Sequence, residues 1–217
     1  MNGDLAVVAW TVVVAGGRGE RFGAPKQFAM AGGRPLVELA IDAARGASDG
    51  VVLVVPAGSG HEDQLHGADV VVTGGDTRAA SVRAGLAVVP PEADIVVVHD
   101  GARPLASAAL FRAVVAEVGS GADAAVPALP VTDTLKIEQD GAVTATVDRS
   151  RIVAVQTPQA FRADVLRKAH AGGADATDDA GLVEAMGTTV RVVPGEPRNL
   201  KVTTAADLEL IQALVGR

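Results

Sequence analysis

Three stretches of this chain hold residues whose types and spacing suit phosphate chemistry. Between Val12 and Gln27 the chain reads V-V-V-A-G-G-R-G-E-R-F-G-A-P-K-Q. A β-branched run stops at glycines, and Arg21 and Lys26 follow with few bulky groups between them. Glycines let backbone N–H groups approach a ligand closely, and the cations neutralise its charge, so the segment suits a polyphosphate. Two familiar phosphate loops do not fit the spelling. A dinucleotide fingerprint starting at Gly17 and Gly19 would need a third glycine where Phe22 stands. A Walker A loop needs Gly before and Ser or Thr after its lysine, but Lys26 lies between Pro25 and Gln27.

The second stretch is G-G-D-T-R-A-A-S, Gly74 to Ser81. Its glycines give backbone access, and Asp76 and Ser81 can read a polar base edge through hydrogen bonds. Helix capping by Asp76 or Thr77, with Arg78 solvated, explains the same residues equally well. The third is V-V-V-H-D-G-A-R-P, Val96 to Pro104. A carboxylate at the end of a buried strand is costly unless something compensates it. Asp100 is therefore a candidate Mg²⁺ ligand, since magnesium takes one or two carboxylates plus phosphate oxygens and water. Arg103 can clamp a phosphate bidentately. A structural Asp–Arg pair is the competing reading, and His99 reads as a packed strand residue. Asp133-Thr134, Asp148-Arg149, Thr157-Pro158-Gln159, Thr177-Asp178-Asp179 and Asn199 to Thr203 fall at element ends, where turns and caps are the ordinary explanation.

The elements that must position these groups are legible as apolar runs. Ala6–Val14, Val51–Val55, Val70–Thr73, Ile95–His99 and Ala124–Val126 read as strands, and Leu36–Ala44, Arg78–Val89 and Ala108–Val118 as helices. Near-continuous apolar strands alternating with helices imply an α/β fold, a Rossmann-like, mostly parallel sheet with helices on both faces. Ligands of such sheets bind at the carboxyl ends of the strands, which brings all three stretches to one rim. Between about 132 and 155 the pattern changes. Leu135–Ile137 and Val143–Val147 flank Asp140-Gly141, a strong hairpin signal. A hairpin leaving a parallel sheet has little of its own to bury, so it is expected to protrude as an arm that packs on a second subunit; an ordinary edge hairpin is the alternative. Helices near Arg162–His170 and Asp178–Met186, a strand at Thr188–Val193, and a final helix to about Val215 capped by Thr203 or Thr204 complete a single domain over 1–217.

Composition bounds the reading. With 48% hydrophobic but only 2% aromatic residues, the core must be built of Val, Ala, Leu and Ile. A net charge of -7 argues against a nucleic-acid partner, which needs a basic face. The absence of cysteine excludes disulfides and thiolate zinc. The most apolar stretch, Leu5–Ala15, is short of the roughly 20 residues of a membrane span and lacks a basic leader. No membrane partner is expected, and a cytoplasmic location is.

The glycine loop, A-G-G-x-G-x-R with P-K-Q after it, resembles the signature loop of sugar-nucleotide-type nucleotidyltransferases. With G-G-D-T-R-A-A-S-V, V-H-D-G-A-R-P, V-T-D-T-L-K, T-V-D-R, Q-T-P-Q, T-D-D-A and N-L-K-V-T in order, nearly the whole chain resembles the 2-C-methyl-D-erythritol 4-phosphate cytidylyltransferases of isoprenoid precursor biosynthesis. The resemblance implies CTP and a polyol phosphate as substrates and Mg²⁺ as cofactor. It implies that Arg21 and Lys26 hold the triphosphate and stabilise charge at the α-phosphate. Ala15, Gly16, Gly75, Asp76 and Ser81 would recognise cytosine and ribose, with Gly17 and Gly19 in the same nucleotide loop. Asp100 would hold the metal. Arg103, Thr157, Thr177 and Lys201 would surround the polyol phosphate. Thr134 and Arg149, on the arm, would complete the partner subunit's site in a homodimer.

The chain departs from the family pattern at two places. Val14 stands where a proline is usual, and Gly101 where the motif often has alanine. With the sequence ending at Arg217, the fused cyclodiphosphate synthase domain of some relatives is not expected. Competing readings are a cytidylyltransferase for another polyol phosphate such as ribitol 5-phosphate, a catalytically silent nucleotide sensor, and a nicotinamide-dependent dehydrogenase. The sensor is disfavoured by the presence of Arg21, Lys26 and Asp100, the dehydrogenase by Phe22.

Overall fold

The structure is a computed structural model that describes residues 7–16, 26–58 and 65–216. Its elements grow from the apolar runs. Branching at Cβ favours pleated backbone, and strands covered on both faces need apolar residues at consecutive positions. Thus β1 is Ala9–Val14. A small antiparallel pair, β2 (Met30–Ala31) and β3 (Arg34–Pro35), leads into α1 (Leu36–Arg45). Then come β4 (Gly50–Val55), β5 (Val70–Thr73), α2 (Arg78–Leu86), β6 (Ile95–Asp100), α3 (Ala108–Gly119) and β7 (Ala124–Pro130). The hairpin is β8 (Lys136–Gln139) and β9 (Ala142–Thr146). The chain closes with β10 (Val153–Val155), β11 (Gln159–Arg162), α4 (Ala163–Ala171), α5 (Asp179–Glu184), β12 (Val190–Pro194) and α6 (Ala205–Val215).

Among the described residues, eight strands form one sheet in the order β10-β7-β11-β6-β1-β4-β5, with β12 also on β7. Strands β5, β4, β1 and β6 run parallel. Strand β11 enters antiparallel between β6 and β7, with Gln159 beside Val98. Its start therefore lies on the same rim as the carboxyl ends of the parallel strands. The sequence pattern does not announce β10 or β11, because each is only three or four residues long and β11 mixes polar with apolar groups.

Alternate side chains of the sheet feed two cores. Val13, Leu53 and Val97 pack with Ile41 of α1 and Phe111 and Val114 of α3. Val12, Val52 and Val96 pack on the other face with Val82 of α2, Leu166 of α4 and Val183 of α5. Helices on both faces are thus present as expected. A third cluster joins Ala31 and Leu36 to Val202 and to Ile211 of α6. Thr204 caps α6 in a capping box with Asp207.

The hairpin forms its own two-stranded sheet and every residue of β8 and β9 is exposed. Asp140 and Gly141 both adopt left-handed backbone (φ 52° and 80°), the conformation that a two-residue turn requires for the strands to keep their twist. A register shift lies between Ile137 and Glu138. The chain rejoins the main sheet at Val153, where β10 pairs with β7.

Candidate active site

The carboxyl end of β6 delivers Asp100 to the rim, almost buried (8% exposed). Three cations from three different segments meet its carboxylate. Lys201 Nζ lies 2.7 Å from Oδ2, Arg78 Nε 3.4 Å from Oδ1, and Arg103 Nε 3.9 Å from Oδ2. Burial alone would push the carboxyl up, but Lys201, Arg78 and Arg103 outweigh it and hold the group well below the usual carboxylate range. Asp100 is ionised at any working pH, in a setting that remains positive and so suits an anionic ligand. Arg78 also donates through Nη1 to Asp179 Oδ2 at 2.7 Å, while His170 Nε2 reaches Asp179 Oδ1 at 3.0 Å. Burial works against the Arg78 charge, but Asp179 and Asp100 raise its pKa overall. The solvated Arg78 of the capping reading is therefore wrong: its guanidinium bridges two carboxylates.

Behind Asp100 the polar groups are fixed by a short chain of hydrogen bonds. The Asp100 N–H donates to Thr157 Oγ1 at 3.0 Å, and that hydroxyl lies 3.1 Å from His99 Nδ1, to which it donates because the neutral ring's one proton is taken up at Nε2. His99 Nε2 then donates to the Arg103 carbonyl at 3.2 Å. Burial lowers the His99 pKa to about 4, which keeps the ring neutral as this pattern requires. His99 is fully buried and its ring lies 4.8 Å from that of Phe111, so it is a packed strand residue as expected. Arg103 donates through Nη1 to the Asn199 carbonyl at 2.8 Å, and burial lowers its pKa. Asn199, buried itself, donates to the Thr157 carbonyl at 2.8 Å, and Gln156 donates to the Glu196 carbonyl at 2.9 Å. These bonds tie the 196–201 segment, and with it Lys201, to the rim.

The neighbouring strand ends supply a backbone-lined floor. Ala15 follows β1, donates to the Val54 carbonyl at 2.8 Å, and accepts from Gln27 Nε2 at 2.5 Å. Ser81 on α2 is buried between Gly16 and Gly74; a Cβ at either glycine would come within 2.8 or 2.6 Å of its Oγ. Ser81 Oγ donates to the Gly75 carbonyl at 3.3 Å. Of the two candidate caps it is Thr77 that accepts from Ala80 N, at 3.1 Å, and its hydroxyl donates to Asp175 at 2.8 Å. Asp76 and Gly75 stay exposed beside it, and Lys26 opens a short 3₁₀ turn, Lys26–Phe28.

Asp100 is the candidate donor for a divalent cation at this rim. Among the described residues there is no group of three or more His, Asp or Glu that could hold an ion unaided. A single ionised, hard oxygen donor fits a magnesium ion that brings phosphate oxygens and water as its other ligands.

A model of the family described as "IspD: 2-C-methyl-D-erythritol 4-phosphate cytidylyltransferase" matches residues 9–217. The chain belongs to this family. A 2-C-methyl-D-erythritol 4-phosphate cytidylyltransferase of Nocardia farcinica is 47% identical over 225 residues, spanning 100% of this chain and 96% of the relative. One from Rhodococcus jostii is 48% identical, spanning 99% and 97%. The crystal structure of the Thermus thermophilus enzyme of the same name superposes with a TM-score of 0.83 at 39% identity, covering 97% of this chain and 100% of that one.

Of the IspD-type residues picked from the sequence, the fold gathers Asp100, Arg103, Thr157 and Lys201 by direct contact or through one residue, with Ala15 and Gly16 after β1, Gly75 after β5 and Ser81 on α2 beside them. Thr177 is exposed just before α5. Thr134 and Arg149 are exposed at the base of the hairpin. Gly17, Gly19 and Arg21 lie outside the described residues. Sequence reasoning missed Arg78, Asp179 and Gln156 as members of the site; the T-D-D-A and Q-T-P-Q motifs contained the last two, without a signal for their partners. The two departures from the family pattern are neighbours. Gly101 N donates to the Val14 carbonyl at 2.9 Å, and a Cβ at Gly101 would meet that oxygen at 3.3 Å, so the tight strand end favours glycine.

Proposed function

We propose that this chain transfers CMP from CTP to 2-C-methyl-D-erythritol 4-phosphate, giving 4-diphosphocytidyl-2-C-methyl-D-erythritol and pyrophosphate. The observation that carries the reading is the cluster at Asp100, where Lys201, Arg103 and Arg78 surround one carboxylate on the rim that also holds the Gly16 and Gly75–Ser81 backbone. A phosphate oxygen of the polyol attacks the α-phosphorus of CTP in line; the bond to the bridging oxygen breaks and pyrophosphate leaves with its electron pair. The nucleophile is already ionised, so no activated Ser or Cys is required. Catalysis rests on positioning and charge neutralisation. Lys26 and Arg21 hold the triphosphate, the backbone of Ala15, Gly16, Gly17, Gly19 and Gly75 with Asp76 and Ser81 receives the nucleoside, and Arg103, Thr157, Thr177 and Lys201 face the polyol phosphate. Asp100 would hold Mg²⁺, which supplies electrostatic stabilisation of the phosphates when bound.

We further propose a single domain over 1–217 whose hairpin arm places Thr134 and Arg149 at the site of a second subunit, and a cytoplasmic location. The exposed apolar side chains of the hairpin, Ile137 and Val143, support the arm's packing on a partner. Among the described residues no helix is long and apolar enough to cross a membrane.

Pyrophosphate release from CTP and Mg²⁺ tests the substrate assignment. Release is expected with 2-C-methyl-D-erythritol 4-phosphate, little with ribitol 5-phosphate, and none once a chelator removes the metal. Equal turnover of ribitol 5-phosphate would overturn the substrate, and no turnover with either would overturn the activity.

A further inference from the structure

We propose that His99 is a positioning residue that holds both ends of the Asp100–Arg103 turn. The inference rests on the cytidylyltransferase reading for what the turn does, but its geometry is independent of it. Asp100, Gly101, Ala102 and Arg103 form a tight turn closed by Arg103 N donating to the Asp100 carbonyl at 2.9 Å. Its first and last side chains are the candidate metal ligand and the candidate phosphate clamp. The turn's own hydrogen bond leaves the Asp100 N–H and the Arg103 carbonyl to be fixed from elsewhere, and one imidazole reaches both. Nδ1 accepts from Thr157 Oγ1, whose lone pair takes the Asp100 N–H. Nε2–H takes the Arg103 carbonyl directly. The donor order is forced: a backbone N–H can only donate and a carbonyl can only accept, so the ring carries its single proton on Nε2.

The ring is itself held. Phe111 lies against it, and it is fully buried under α3. An imidazole placed rigidly behind a turn transmits that rigidity to Asp100 and Arg103, whereas an apolar residue of the same volume fills the space and leaves the two ends to drift. A displacement of a fraction of an ångström at a group that aligns a phosphate is enough to slow its reaction severalfold or more.

The two nitrogens can be separated by substitution. Asn places an amide oxygen near the Nδ1 position and keeps the acceptor for Thr157. Gln places an amide nitrogen near the Nε2 position and keeps the donor for the Arg103 carbonyl. Leu keeps volume alone. The full chain carrying His99→Asn, His99→Gln or His99→Leu is assayed with CTP and 2-C-methyl-D-erythritol 4-phosphate, each varied separately, and unfolding is followed on the same samples. His99→Asn frees the Arg103 end, so KM for the polyol phosphate rises by about tenfold, the effect of losing one buried hydrogen bond, with turnover little changed. His99→Gln frees the Asp100 end, so turnover falls by about tenfold with that KM little changed. His99→Leu shows both losses together.

Isothermal titration of the polyol phosphate, without turnover, gives a second readout: weaker binding for Asn and Leu, near-native for Gln. If cytidylyl transfer itself were misassigned, wild type would be inactive, yet the relaxation of the turn would still appear as faster amide exchange at Asp100 in Gln and Leu but not in Asn. Identical kinetic constants and identical exchange for all three folded variants would overturn the proposal and leave His99 a space filler. So would losses that follow melting temperature alone.

Discussion

Replacing Arg78 with Met removes the guanidinium that spans Asp100 and Asp179 while keeping much of the side chain's packing. Asp179 is 1% exposed and depends on Arg78 at 2.7 Å and His170 at 3.0 Å. Removing one partner of a buried ion pair costs about 3–5 kcal/mol, because the remaining charge is left desolvated. His170 still reaches Asp179, and Lys201 and Arg103 still reach Asp100, so the lower end, about 3 kcal/mol, is expected. For a domain of this size that corresponds to a fall in Tm of about 6–12 °C. Urea or thermal unfolding, read by circular dichroism, measures it. Asp179→Asn removes the charge that Arg78 answers, so the double variant loses less than the two single losses added, by at least about 1 kcal/mol. A cost for Arg78→Met below about 1 kcal/mol, or strict additivity with Asp179→Asn, would refute the reasoning, because either result would place the guanidinium in solvent screening.

The capping box that follows Lys201 makes a pH prediction. Hydrogen bonds from the Thr203 hydroxyl and N–H and the Thr204 N–H hold the Asp207 carboxyl at about 2 against an ordinary 3.8. Its stabilisation is complete above about pH 3.8 and is lost as pH falls toward 2. Asp207→Ala therefore costs about 1 kcal/mol at pH 7 and flattens the unfolding profile in that window; an unchanged profile would be the contrary result. The arm gives another. Deleting 134–148 is expected to convert an active dimer into a monomer with little activity, by gel filtration and pyrophosphate release. An intact protein that is an active monomer would rule out a shared site.

Much of the sheet is readable from the chain, because a parallel strand buried on both faces must be apolar throughout, and Val51–Val55 and Ile95–Val98 are. The hairpin turn is readable because Asp-Gly tolerates left-handed backbone, and the structure places both residues there. Strands β10 and β11 are not, since three or four residues of mixed character carry no period. Their placement decides the site. Only the antiparallel entry of β11 beside β6 brings Thr157 against Asp100 and His99, 57 and 58 residues away in the chain.

By itself the sequence determined which groups bear the chemistry. Glycine spacing, the acid at a strand end and the cations that follow are local properties, and together with the ordered motifs they marked the family. The tertiary structure alone decided which charge answers which. Arg78 and Asp179 are 101 residues apart, and Lys201 comes to Asp100 through Asn199 and Gln156. Nothing in local spacing specifies such pairs, because a buried carboxylate requires a compensating cation but not one from a particular segment. Strand order and the crossing of α2, α5 and the 196–201 segment over one rim choose it.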